Sequence, residues 1–245
     1  HHYCSRRQRQ MCIRDSPSDA ELELLNPWRD QIPSEIFTET FTPPKTDGSG
    51  NARKNLLKAK EILQEEGWII KNDKLTKDGE EFKFEFLIVS PSDEKIALAY
   101  QSNLKKLGIT MEVRTVDSSQ YQARLLNYDF DMIKRYWGVS LSPGNEQQFY
   151  WGSEVGKKDG SRNYPGINSP AVDALIEKLI SAKNREELTT AIHALDRVLL
   201  WGHYVVPLYH SNKDRIAYWD FFEYPEKIPL YGIVIESWWV NKDKQ

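Results

Sequence analysis

The chain is predicted to be an α/β protein, an open sheet with helices on its faces, and three patterns in the sequence make that prediction. Between residues 51 and 137, helix-period and strand-period segments alternate as αβαβαβ. Such alternation favours parallel neighbouring strands joined by right-handed crossovers. A long connection over 138–168, dense in Gly, Ser, Asn and aromatics, then leads into two more helical stretches. The third pattern is compositional. With 40% hydrophobic, 12% aromatic and 28% charged residues, the chain has enough apolar side chain for a packed core and too much for disorder.

Residues 22–47 are rich in Pro, Thr and Glu, including Pro27, Pro33, Pro43 and Pro44. A meander closed by Gly48-Ser49-Gly50 is expected there, with regular structure beginning at Asn51. Asn51 can cap a helix whose apolar positions are Ala52, Leu56, Ala59, Ile62 and Leu63, and Gly67 sits where a left-handed residue would end it. Phe82, Phe84, Phe86 and Ile88 alternate with Glu81, Lys83 and Glu85, the period of a strand with one buried face. Pro91 ends that strand. Ile96, Ala99, Tyr100, Leu104 and Leu107 make a second helical stripe stopped by Gly108, and 109–116 reads as a second strand. Asp117 or Ser118 caps a short helix to Leu126, and 130–137 reads as a third strand.

The 138–168 connection shows no convincing period and is far longer than the usual ~4–6 residues. Ser169-Pro170 opens a helix through Val172, Leu175, Ile176, Leu179 and Ile180, and 185–201 gives another through Leu188, Ile192, Leu195, Val198 and Leu199. In the tail, 204–210 and 215–219 read as strands, with Pro225, Pro229 and Trp238-Trp239 in irregular chain. No internal repeat is visible.

Residues 1–16 differ abruptly from the rest. They hold both cysteines, Cys4 and Cys12, with Arg6, Arg7, Arg9 and Arg14, and lack the apolar stretch and cleavage site of a secretory leader. Residues 1–19 are therefore expected to be a non-native or disordered segment. No apolar run is long enough to span a bilayer. A net charge of -3, from 33 basic and 36 acidic residues, gives no reason to seek nucleic acid or an anionic membrane.

The phosphate loop, nucleophile elbow, paired-histidine zinc helix and cysteine zinc cluster are all missing from the sequence. His193, His203 and His210 lack metal-ligand spacing, so no metal or other cofactor is expected. Asp129 and Asp131 could serve acid-base chemistry, but as strand neighbours on one face they read as solvated. The informative stretch is 136–153, where a strand gives way to a polar loop containing Trp137, Ser140, Ser142, Pro143, Asn145, Glu146 and Trp151. Ligands of open α/β sheets bind beyond the carboxyl ends of strands. Aromatics supply flat walls there, while small polar groups bond an extended main chain without demanding one side-chain identity. A surface loop whose Trp137 and Trp151 merely plug the core fits the same residues.

The run 137–153, together with Gly160-Ser161-Arg162-Asn163-Tyr164, Ser169-Pro170-Ala171-Val172-Asp173, Ala194-Leu195-Asp196-Arg197-Val198 and Tyr204-Val205-Val206-Pro207, resembles the extracellular solute-binding proteins of family 5. The branch it most resembles is associated with oligopeptide and microcin C uptake. The similarity runs from about Glu21 to the C-terminus. It implies a periplasmic binding protein-like fold of type II, a flytrap whose two lobes enclose a ligand.

Relatives of this kind are much longer. The resemblance therefore places 20–208 in most of the second lobe and 209–245 in a segment returning to the first, with Pro207 in the hinge. It implies a monomeric, non-enzymatic, periplasmic component of an ABC importer, with an oligopeptide or peptide-like ligand and an inner-membrane permease as partners. The ligand would pack on Trp137, Tyr164 and Trp151 and bond Ser140, Ser142, Asn145, Glu146, Arg162 and Asn163. In one respect the chain departs from the family. Peptide-binding relatives commonly anchor the ligand's α-ammonium with an aspartate just before the loop proline, where this chain has Ser142. Glu146 is near enough in sequence to be a substitute, and Arg162 is a candidate partner for a carboxylate or a main-chain carbonyl. Two other readings compete with this one: a peptide- or glycan-acting hydrolase using Glu146 or Asp159 as acid or base, and a fragment that folds but binds nothing.

Overall fold

The computed structural model describes residues 15–137, 142–208, 215–227, 229 and 232–244, and the chain divides between Tyr204 and Val205 into two units. The larger unit opens with regular structure that the Pro- and Thr-rich sequence concealed. Helix α1 (Asp19–Leu25) is followed by a 3-10 turn (Asn26–Trp28) and the single-turn α2 (Glu35–Thr38). Ser18 caps α1, its hydroxyl accepting from the Glu21 amide at 3.3 Å. Leu25 and Ile36 are fully buried among the later helices. Two such side chains stabilise the fold by roughly 1.5–3 kcal/mol each. They hold the meander down.

Helix α3 (Arg53–Glu65) starts two residues after the expected cap, with the Asn51 carboxamide oxygen accepting from the Arg53 amide at 3.0 Å. It ends as the sequence predicts, at Gly67 with φ 85°. Three short antiparallel strands follow, β1 (Ile69–Lys71), β2 (Lys74–Lys77) and β3 (Glu80–Glu81). The sequence analysis left them unassigned. Their turns, Asn72-Asp73 and Asp78-Gly79, have positive φ at both central residues, the geometry that two-residue hairpins need.

The main sheet is β4 (Lys83–Ile88), β5 (Thr110–Thr115) and β6 (Met132–Ile133), parallel and in the order β5-β4-β6. The register pairs Phe86 with Val113 and with Met132, and Leu87 with Arg114 and with Ile133. Helix α4 (Pro91–Lys105) crosses between β4 and β5, with Pro91 in its first turn and the Ser90 hydroxyl as cap. Helix α5 (Ser118–Leu126) precedes β6, and Asp117 accepts from the Ser119 and Gln120 amides at 2.8 and 2.9 Å. The single buried face expected of β4 is corrected. Phe86 and Ile88 join a core with Ala97, Leu104 and Met111, while Leu87 is fully buried on the opposite side against Val116, Tyr121 and Leu125. As the central strand, β4 is covered on both faces. The third strand is also shorter than expected, because 130–131 and 134–137 lie outside the ladder.

The long connection contains two short helices that its sequence did not announce, α6 (Glu146–Trp151) and α7 (Ser153–Gly156). Then α8 (Pro170–Ile180) and α9 (Arg185–Trp201), capped by Ser169 and Asn184, pack with α1 and α2 around Val172, Leu175, Ile176 and Leu195. An ion pair closes this layer. Arg197 in α9 donates through Nε to Glu21 at 2.6 Å, and through its two terminal nitrogens to the Asp15 carbonyl and carboxylate at 2.6 and 2.9 Å. Burial pushes the Glu21 carboxyl up, but hydrogen bonds from His193 and Arg197 outweigh it and hold the group at about 2. Asp15 and Ser18, which fall within the 1–19 segment set apart on sequence, are bonded to this layer.

In the smaller unit, β7 (Phe222–Glu223) pairs antiparallel with β8 (Trp239–Val240). Glu223 accepts from the Asn241 carboxamide at 2.6 Å and the Trp239 indole at 3.2 Å. The strands expected over 204–210 and 215–219 are corrected. Residues 204–208 and 215–219 are not in strands, and 209–210 lie outside the described residues. β-Rich composition makes a strand only where a partner edge is available.

Candidate ligand-binding site

Where β6 ends, the chain carries Lys134, Arg135, Tyr136 and Trp137 past the carboxyl edge of the sheet. Trp137 lies 5.3 Å from Trp151, ring centre to ring centre, with 31° between the planes, and 6.5 Å from Tyr164. Tyr164 in turn contacts Phe130 and Tyr128, at 6.4 and 6.3 Å. Each ring comes from a different element. Trp137 follows β6, Trp151 ends α6, and Tyr164 stands in the loop before α8.

Backbone and polar side chains fix these rings. The Trp151 indole donates to Gln147 one turn earlier at 3.0 Å, and its ring packs on the α8/α9 core. Tyr164 packs on the Leu87 face of the sheet, and its hydroxyl accepts from Arg135 at 3.1 Å. The Arg135 guanidinium also lies 5.0 Å from the centre of that ring. The Trp137 indole nitrogen is buried and has no hydrogen-bond acceptor among the described residues.

Asn163 organises the loop. It is fully buried, donates to the Gly152 and Ile167 carbonyls at 3.0 and 2.8 Å, and accepts from the Ile167 amide at 2.9 Å. Its amide is committed to holding the loop, so its role here is to position Tyr164. Tyr128 and Ser161 share a short hydrogen bond, and Ser153 and Asp173 tie α7 to α8. Glu146 is half-buried and accepts from the Gly144 amide at 3.0 Å. Ser142, Asn145, Asp159 and Arg162 are exposed, and Ser140 lies outside the described residues.

The structure thus gathers Trp137, Trp151 and Tyr164 into one cluster and leaves Arg162 at the surface. Asp129 and Asp131 precede β6 and do not share a strand face. Asp129 pairs with Arg124 at 2.8 Å, and Asp131 accepts from the Glu85 amide at 2.8 Å. His193 faces Glu21 at 3.5 Å, His203 packs near Phe41 and Trp201, and His210 lies outside the described residues. Sequence reasoning missed Arg135 and Gln147. The signal for Arg135 was its place two residues after a strand in a run of cations and aromatics.

The model of the bacterial extracellular solute-binding proteins, family 5 (middle), matches residues 30–159. The chain belongs to this family. A putative binding protein of Brucella melitensis is 47% identical over 225 residues, which make up 91% of this chain and 37% of that protein. The probable peptide-binding protein YejA of Agrobacterium fabrum is 41% identical over 229 residues, 92% of this chain and 37% of its own length. The chain therefore spans little more than a third of these relatives. Among solved structures, the oligopeptide-binding protein AppA of Bacillus subtilis, in complex with a nonapeptide, superposes with a TM-score of 0.55. The match has 23% identity and covers 82% of this chain and 40% of that one. At that identity the likeness shows the fold, the type II periplasmic binding protein fold. Among the described residues no helix is long and apolar enough to cross a membrane.

Proposed function

We propose that this chain is the C-terminal portion of the substrate-binding component of an ABC importer, capturing oligopeptides or peptide-like compounds in the periplasm without bond chemistry. The observation that carries the reading is the aromatic cluster of Trp137, Trp151 and Tyr164 at the carboxyl end of β6, in a chain of a solute-binding family. Such a platform takes apolar side chains of varied shape, while backbone groups of 142–146 and side chains of Ser140, Ser142, Asn145 and Glu146 bond the ligand's main chain. Arg162, exposed in its turn, would reach only an extended ligand. In this reading 20–208 belong to the second lobe and 209–245 return to the first, while of the 1–19 segment Asp15 and Ser18 are bonded to the second lobe. Lobe closure is the mechanistic step, and the partner of the closed form is a membrane permease.

The test is calorimetric titration of the full-length protein with a mixed peptide pool, with retained ligands identified by mass. Saturable binding without product is expected. Steady turnover, or no retention of any peptide, would overturn the reading. Turnover lost in Glu146→Gln or Asp159→Asn would establish a hydrolase instead.

A further inference from the structure

Among the described residues of this unit, three of the cations drawn out of water hold carboxylates, whereas Lys77, beside the β2 turn, and Arg135, at the aromatic cluster, hold none. Arg197 holds Glu21 and Asp15, Arg124 holds Glu85 and Asp129 at 2.8 Å each, and Lys134 holds Asp93. Arg135 is half-buried, yet no carboxylate lies within ion-pair distance of it among the described residues, and the one hydrogen bond it makes there is to the Tyr164 hydroxyl. A guanidinium has five donors in a planar fork, and removing it from water without an anion is costly. Next to it, the buried Trp137 indole N–H also lacks an acceptor. Among the described residues, the Trp137 indole has no acceptor and Arg135 no carboxylate, and the rings of Trp137 and Tyr164 lie 6.5 Å apart, centre to centre.

We propose that Arg135 determines specificity in this site: its guanidinium, set in place by Tyr164, receives a carboxylate of the ligand, so the protein selects peptides by an anionic group. This rests on the peptide-binding reading above and names the chemistry of its anchor. The fork geometry suits a bidentate carboxylate. Its place beyond β6 puts it at the sheet edge where ligands of such folds bind.

The experiment uses the full-length protein and two random-sequence pentapeptide libraries, both N-acetylated, one with free C-terminal carboxylates and one amidated. Retained peptides are weighed and sequenced by mass spectrometry, and representative members are titrated. The free-acid library is expected to bind roughly 10- to 100-fold tighter, the range for a hydrogen-bonded charge. If the anchored carboxylate is a side chain rather than the terminus, peptides containing Asp or Glu will be enriched from the amidated library instead. Arg135→Gln should abolish either preference, Arg135→Lys should keep part of it, and Tyr164→Phe should reduce it while leaving the charge. Thermal melting of each variant separates folding from recognition, and Arg135→Lys carries the test should Arg135→Gln melt early. Equal retention of both libraries without acidic enrichment, or a preference that survives Arg135→Gln, would overturn the inference and leave the peptide reading standing. Retention of neither library would overturn both.

Discussion

Trp137 lies against Trp151 with 5.3 Å between ring centres, and this contact joins the exit of β6 to the end of α6. The two indoles have unequal duties. Trp151 is bonded to Gln147 and packed on the α8/α9 core, whereas Trp137 meets neighbouring rings and keeps its N–H unpaired among the described residues. Trp137→Ala in the full-length protein should weaken peptide binding by about tenfold, since an aromatic contact contributes about 0.5–1.5 kcal/mol beyond the area it buries. Its melting temperature should change little. Trp151→Ala should lower the melting temperature by several degrees, with a cost near the lower end of the ~3–5 kcal/mol seen for large aromatic truncations. Calorimetry and thermal unfolding of both variants check this division, and equal effects on both readouts would contradict it.

Asn163→Ala removes three hydrogen bonds from a fully buried side chain. It strands the Ile167 amide and two carbonyls, each worth about 1–3 kcal/mol when left unsatisfied. Hydrogen exchange should accelerate at Ile167 and through the 157–168 loop well before it changes in β4. Peptide affinity should fall as well, because Tyr164 is the next residue. Unchanged protection at Ile167 would mean that the loop is held by something other than this amide.

The pattern of the sequence revealed elements whose stabilising contacts recur at a fixed period along the chain. The stripes of α4, α8 and α9 and the alternation of Phe82, Phe84 and Phe86 were legible for that reason. Leu87 was not, since its burial depends on β5 and β6 flanking β4 and on α5 crossing the far face. The β1–β3 meander had a legible mark in Asn72-Asp73 and Asp78-Gly79, which the sequence reading passed over. At the site, Trp137, Trp151 and Tyr164 stood out as aromatics in a polar loop. The pairing state of Arg135 and the commitment of Asn163 to its own loop are properties of three-dimensional neighbours, which composition does not report.

Gly108 shows the same distinction at one residue. As a helix stop it was readable, and its φ of 79° agrees. The structure adds that its carbonyl accepts from the Leu75 amide at 2.7 Å and that a Cβ there would stand 2.8 Å from the same nitrogen. Gly108→Ala therefore meets both backbone strain and a collision with β2, and should cost more than the ~1 kcal/mol usual for a left-handed position. Gly79→Ala, at φ 89° with nothing within 4 Å, should show the strain alone. Comparing the two melting temperatures isolates the collision, and equal losses would mean that β2 moves aside.

The Glu21–Arg197 pair gives the fold an acid limit. Folded, the Glu21 carboxyl is held at about 2 against 4.5 for the free group. A carboxyl held down by folding contributes stability that is complete above its unfolded value and is lost as pH falls toward the folded one. Stability should therefore decline between about pH 4.5 and pH 2, by roughly 3 kcal/mol from this group if the shift is fully expressed. Glu21→Gln should remove that part of the pH dependence while lowering stability at pH 7, because Arg197 would keep only its Asp15 contacts. Arg197→Met should be worse at neutral pH, since it leaves a buried carboxylate without its strongest partner, a loss of about 3–5 kcal/mol in such pairs. It should also shift the acid limb upward in pH as Glu21 takes up its proton more readily. Melting temperatures of the three proteins from pH 2 to pH 7 give the pattern. Parallel curves for all three would show that α1 is held to α9 by apolar packing such as that of Leu25 and not by this pair.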